Sequence, residues 1–138
     1  MTSDELLMPR PLATKLLFEA QKVPDAEVCG LVGGVDGHPV SVNPVPNVSD
    51  DPSRRFVMDS QAQIDAMRNI RERGESLLAV YHSHPATPPE PSARDLDELG
   101  YPDALLLIIS LNIKGVLEMR GWRAEAGGVR EVVLKVMD

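Results

Sequence analysis

Apolar and polar residues follow two different periods along the chain, and the switches between those periods divide it into elements. Residues 11–23 carry Leu12, Leu16, Leu17 and Ala20 on one helical stripe, which predicts an amphipathic helix ended by Pro24. Residues 27–35, Glu-Val-Cys-Gly-Leu-Val-Gly-Gly-Val, read as a strand entering a glycine turn, with 38–43 as its antiparallel partner. From 43 to 55 the chain is rich in Pro, Asn, Ser and Asp and predicts a loop, followed by a short strand at 56–58. Asp59 and Ser60 are good caps for a helix over 61–73, with Ile64, Met67 and Ile70 turned inward.

The second half is richer in strands. Residues 76–81, Ser-Leu-Leu-Ala-Val-Tyr, form an apolar run that predicts a buried strand. A short helix over 93–99 stops at Gly100, and Tyr101-Pro-Asp makes a turn. Residues 104–111 are apolar on both faces and belong in the interior of a sheet. A turn at 112–115, a strand at 116–123, a turn at Gly127-Gly128 and an alternating strand at 129–136 complete the chain. Neither a repeat nor a long linker divides it, so the expectation is a single domain, 1–138, of the α/β class: a mixed sheet flanked by two or three helices.

Composition narrows the partners. At 138 residues and 43% hydrophobic, the chain can bury one substantial core. Its 14 basic against 21 acidic residues give a net charge of −7, which argues against non-specific nucleic-acid or anionic-membrane binding. Arg54 and Arg55, and the cluster Arg68, Arg71 and Arg73, read as a solvated loop and helix face. A single cysteine, Cys29, excludes an internal disulfide and reads as a small buried hydrophobe. The start, Met-Thr-Ser-Asp-Glu, lacks the positive region of a signal peptide, and no apolar run approaches the ~18–20 residues of a membrane span. The expected location is cytoplasmic.

The candidate chemistry lies in 80–95, Val-Tyr-His-Ser-His-Pro-Ala-Thr-Pro-Pro-Glu-Pro-Ser-Ala-Arg-Asp. On an extended chain the side-chain period is two, so His82 and His84 point to the same face. Pro85 then ends the strand and leaves both imidazoles near its end. Ser92-x-x-Asp95 resembles a helix capping box, which would fix Asp95 on a first turn within reach of them. Two histidines of this kind can equally line a polar groove, so the pair alone leaves metal binding open. Adding the carboxylate gives an open zinc set with a position left for water, whose pKa such a site lowers. Glu27 is the one acidic residue on an otherwise apolar strand, a candidate general base and acid, although a solvent-facing glutamate at a strand start is the plainer reading. His38 sits in an Asp-Gly-His-Pro turn and is expected to be exposed. Tyr101 and Trp122 are expected to pack, as is Tyr81, with its hydroxyl at the rim.

Taken together, His82-Ser-His84-Pro85, six residues, Ser92, two residues and Asp95, preceded by Glu27 on an early strand, resemble the signature of the JAMM (MPN+) metalloprotease family. The likeness runs over the whole chain with every motif position filled, in the manner of the short stand-alone prokaryotic members. It implies a cytidine-deaminase-like sandwich and one zinc ion per chain, with His82, His84 and Asp95 as ligands, Glu27 as general base and acid, and Ser92 helping to hold the oxyanion. It also implies an isopeptidase acting on a ubiquitin-like sulfur-carrier protein, cleaving the amide after a C-terminal Gly-Gly. A tail without side chains could lie along a sheet edge and enter a slot at the zinc, walled by 43–55 and 86–91, with Arg54 and Arg55 meeting acidic groups on the partner.

Two rival readings remain. A non-catalytic MPN-type binding module would hold no metal and tolerate loss of Glu27, yet it has no need of the complete set Glu27, His82, His84, Ser92 and Asp95. A zinc hydrolase of a small amide, or a DNA-associated relative, fits the same residues, and the acidic balance disfavours the DNA version.

Overall fold

A computed structural model of the chain describes residues 5–97, 100–112 and 116–138. In chain order it runs β1 (Glu5–Pro9), α1 (Arg10–Gln21), β2 (Cys29–Val35), β3 (His38–Val45), α2 (Ser60–Glu72), β4 (Ser76–His84), α3 (Ala93–Asp97), β5 (Leu105–Ser110), β6 (Glu118–Glu125) and β7 (Gly128–Met137). The strands form one sheet in the order β1-β7-β6-β5-β4-β2-β3. It is mixed, as expected: β1 runs parallel to β7 and β4 to β5, while the other neighbours are antiparallel. Among the described residues no helix is long and apolar enough to cross a membrane.

Two helices cover opposite faces of the sheet. Helix α1 begins with a proline in its first turn, where the missing N–H costs nothing. It lays Ala13, Leu16 and Ala20 over Met8, Tyr81, Leu107, Ile109 and Val132. Helix α2 is capped by Asp59, whose side chain accepts from the Ala62 N–H at 2.8 Å. Its Ala66 and Ile70 pack on Leu31, Val45, Val80 and Ala104 on the other face. All six residues of β5 are buried, because helices and loops cover both its faces. Each such aliphatic side chain contributes about 1.5–3 kcal/mol of transfer free energy.

The β4–β5 connection places the chemistry. Parallel neighbours need a crossover, and here it carries α3 across the carboxyl end of β4. The β2–β3 hairpin turns through Asp36 (φ 52°) and Gly37 (φ 78°), the positive-φ pair that a two-residue primed turn requires.

One element is new and four expectations need correction. Strand β1 is not foreseen from the sequence, because five residues carry little periodicity and their parallel partner β7 lies at the far end of the chain. The strand at 56–58 reduces to one bridge, Asn47 to Met58. Ile64 is 52% exposed: it lies two positions before Ala66, roughly 200° around the helix from the buried stripe. Glu27 precedes β2, which begins at Cys29. Tyr81 is fully buried, hydroxyl included. Its ring lies over Gly30, where an added Cβ would meet Tyr81 Cε2 at 2.5 Å, so absence of a side chain there makes room for the phenol. Parts of the helix expected at 93–99 and the turn at 112–115 fall outside the described residues.

Candidate metal centre

Strand β4 presents Val80, His82 and His84 on the α2 face, while Ala79 and Tyr81 turn to the α1 face. Both histidines are buried, at 0% and 4% exposure. Asp95 arrives from the first turn of α3 through a reciprocal cap: the Ser92 N–H donates to Asp95 Oδ2 at 2.9 Å, and the Asp95 N–H donates to Ser92 Oγ at 3.0 Å. The capping reading of Ser92-x-x-Asp95 therefore holds, and it aims the carboxylate. His82 Nε2 lies 3.2 Å and His84 Nε2 3.0 Å from the same Asp95 oxygen, and the two Nε2 atoms stand 3.0 Å apart.

These distances suit an ion. Ligand atoms held about 2.0–2.2 Å from a tetrahedral zinc stand roughly 3.3–3.5 Å from one another. His84 Nδ1 lies 2.8 Å from the Pro88 carbonyl, so the neutral ring carries its proton at Nδ1 and keeps a lone pair at Nε2. That lone pair then faces a carboxylate oxygen and a second imidazole nitrogen at 3.0 Å. Such a cluster is repulsive unless a cation or extra protons lie among its members. His82, His84 and Asp95 form a group of buried donors within 4.8 Å of one another, and they fit a metal site.

Protonation states follow from the surroundings. Burial holds His82 below the usual imidazole range despite the opposing pull of Asp95. Burial also opposes charge on His84, but its hydrogen bonds to Asp95 and Pro88 outweigh that and raise it. Burial works against ionisation of Asp95 as well, and the hydrogen bonds from His82 and His84 overcome it, holding the carboxyl well below the usual carboxylate range. An ionised Asp95 and a neutral His82 suit a divalent cation, whereas His84, raised by its partners, must give up the Nε2 proton it shares with Asp95 before that lone pair can reach an ion.

Glu27 is brought alongside by contacts far from it in sequence. Its N–H donates to the Pro52 carbonyl at 2.7 Å, and its carbonyl accepts from Asn47 Nδ2 at 2.9 Å. The next residue, Val28, is tied to Ser83, the residue between the two histidines: the Val28 N–H donates to Ser83 Oγ at 2.9 Å, and the Ser83 N–H to the Val28 carbonyl at 3.0 Å. The side chain is 5% exposed, not solvent-facing. Its charge is felt at His84 and at Cys29, whose thiol is pushed up to about 12 by burial and then by Glu27. Cys29 is buried, as expected, and donates to the Val45 carbonyl at 3.3 Å.

Several contacts had no local signal in the sequence. Phe56 stacks on His82, with ring centroids 4.7 Å apart. Together with Met58, Val80, Tyr101, Leu106 and Asp95 it lines a cleft of about 300 Å³ beside the histidines. Trp122 does more than pack, since its indole N–H donates to the Pro89 carbonyl at 3.0 Å. Of the candidate partner contacts, Arg55 is engaged within its own loop by Ser49 and Asp50, and Arg54 is exposed. His38 is exposed at the hairpin, as expected.

The family described as prokaryotic homologs of the JAB domain matches residues 9–125. The chain is 33% identical over 116 residues to a desampylase of Haloferax volcanii, covering 80% of this chain and 84% of that one. It is 27% identical over 134 residues to a CysO-cysteine peptidase of Mycobacterium tuberculosis, covering 96% and 92%. Among solved structures, a Desulfitobacterium hafniense protein determined in solution superposes with a TM-score of 0.86 at 31% identity, over 96% of this chain and 93% of that one.

Proposed function

The chain belongs to the prokaryotic homologs of the JAB domain, and from that premise we propose a zinc metalloprotease, an isopeptidase that hydrolyses the amide bond after the C-terminal Gly-Gly of a ubiquitin-like sulfur-carrier protein. The observation that carries the reading is the meeting of His82 Nε2, His84 Nε2 and Asp95 Oδ2 within 3.0–3.2 Å of one another. Names such as desampylase and CysO-cysteine peptidase among its relatives point to the substrate class. The proposal treats residues 1–138 as one catalytic domain with one zinc per chain.

His82, His84 and Asp95 would hold the ion. Bound there, zinc supplies Lewis acidity, acidifying a water molecule and polarising the scissile carbonyl. Glu27, buried and within electrostatic reach of His84, takes the proton of the attacking water and returns it to the departing amine. Ser92 Oγ already accepts from the Asp95 N–H, which leaves its own O–H to donate to negative charge developing on the carbonyl oxygen. A Gly-Gly tail suits a slot between 43–55 and 86–91, since its lack of side chains lets backbone approach the buried donors closely. Purified chain should carry one zinc and cleave a carrier–Gly-Gly–peptide fusion, with chelation abolishing the cleavage and zinc restoring it. Metal-free protein that still cleaves, or zinc-loaded protein inert on every such fusion, defeats this reading.

A further inference from the structure

We propose that Trp122 and Ser110 are positioning residues for the metal centre: by gripping the 85–91 loop from below, they set the Pro88 carbonyl that orients His84. The proposal rests on the zinc reading above and concerns residues outside its ligand set.

Pro85, Pro88, Pro89 and Pro91 have no N–H to donate, so the loop can supply few partners for its own carbonyls and depends on groups outside it for most of them. Three consecutive carbonyls are so held, from three neighbouring strands. Ser110 Oγ on β5 donates to the Thr87 carbonyl at 2.6 Å. His84 Nδ1 on β4 meets the Pro88 carbonyl at 2.8 Å, and the Glu90 N–H donates to that same oxygen at 2.8 Å. Trp122 Nε1 on β6 donates to the Pro89 carbonyl at 3.0 Å.

Peptide planes are rigid and proline fixes φ. Pinning the carbonyls of Thr87 and Pro89 therefore leaves the Pro88 carbonyl little freedom to turn. Its direction decides which His84 nitrogen carries the proton: an acceptor at Nδ1 leaves the Nε2 lone pair for the ion. Indole is a donor only, so Trp122 has one way to serve the loop. Ser110 also accepts from the Asn112 N–H at 3.1 Å, which directs its own proton at Thr87.

His82 provides an internal contrast. Its Nδ1 is buried with no hydrogen-bond partner among the described residues, and its ring is stacked on Phe56 instead. The two ligands are thus oriented by different means, one by an aromatic face and one by a braced carbonyl. The exposed Arg120–Glu90 pair at 3.9 Å touches the same loop and adds little.

The test uses full-length Trp122→Phe, which keeps a ring and loses the N–H, and Ser110→Ala as a second variant. Three quantities are read: zinc affinity by chelator competition, solvent exchange of the His84 Nδ1–H in zinc-loaded, nitrogen-15-histidine-labelled protein, and the unfolding midpoint of the metal-free chain. Loss of such outer support weakens metal binding by about 10–100-fold. We expect at least the lower end of that range for Trp122→Phe, with faster exchange at His84 and a metal-free midpoint close to wild type. Wild-type affinity and exchange in both variants overturn the proposal. So does an affinity loss that follows the midpoint while His84 exchange is unchanged, which would make Trp122 a packing residue. Wild-type chain that binds no zinc defeats the functional reading itself, which separates the two failures.

Discussion

Phe56 and His82 lie face to face, ring centroids 4.7 Å apart and planes 29° from parallel. His82 Nδ1 has no hydrogen-bond partner among the described residues, so this stacking supports the ring on the side away from its Nε2 contacts with His84 and Asp95. Stacked aromatic pairs contribute about 0.5–1.5 kcal/mol beyond their area. Phe56→Ala should accordingly weaken zinc binding by about two- to tenfold, while Phe56→Tyr keeps wild-type affinity. Chelator competition measures both, and equal affinities for all three proteins would show that β4 alone orients His82.

Glu27→Gln should retain one zinc per chain and lose hydrolysis. The amide has nearly the same shape, and Glu27 is not among the converging donors His82, His84 and Asp95. Removing a general base or acid typically costs about 10²–10⁴-fold in rate. Zinc content by mass spectrometry of the intact protein, together with the rate on a carrier–Gly-Gly–peptide fusion, checks the two halves separately. An unchanged rate removes Glu27 from its role, and lost zinc would place its carboxylate on the metal.

The Tyr81 hydroxyl is buried without a hydrogen-bond partner among the described residues, and burial drives its ionisation far out of range. An unsatisfied buried polar atom costs about 1–3 kcal/mol. Tyr81→Phe should therefore raise the unfolding midpoint by a few degrees. Gly30→Ala should do the opposite, because its Cβ would lie 2.5 Å from Tyr81 Cε2 and 2.6 Å from the Asn43 carbonyl oxygen. Overpacking of that kind costs about 1–3 kcal/mol. Calorimetry decides. A Tyr81→Phe protein less stable than wild type would mean the hydroxyl is satisfied after all.

How much of this was legible in the sequence differs from residue to residue. His82, His84 and Asp95 were legible because two local rules place them: strand alternation for the pair, and a cap three residues long for the acid. Glu27 could be named from the family's pattern, but its burial depends on Pro52 and on Ser83, which is 55 positions from Val28. Local rules made a solvent-facing glutamate the plainer reading, and tertiary contacts reversed it. Phe56 gave a false strand signal, since its partner is a ring on β4 and not a neighbouring backbone. Trp122 read as a packing residue because nothing near β6 in sequence announces the Pro89 carbonyl. Strand β1 stayed hidden for the same reason: its pairing partner is Glu5↔Val133 and onward, the opposite end of the chain.

Acid stability depends on a carboxylate away from the candidate metal centre. Arg73, just past α2, donates to Glu75 through Nε at 3.0 Å and Nη2 at 3.2 Å, and Ser41 Oγ on β3 donates to the same carboxylate at 2.6 Å. The Arg73 hydrogen bond holds Glu75 below its ordinary value of 4.5, against some burial and with help from Ser41. A carboxyl whose folded pKa is depressed binds protons more readily in the unfolded chain. Its contribution is complete above 4.5 and shrinks as pH falls through that value towards the folded pKa. Below the folded pKa it vanishes. Glu75→Gln should therefore be less stable than wild type at neutral pH, and the gap should close as the pH is lowered. Urea midpoints of both proteins across that interval give the gap directly. A difference that stays constant with pH would show that the Arg73–Glu75–Ser41 contact works through packing, with no part for the charge.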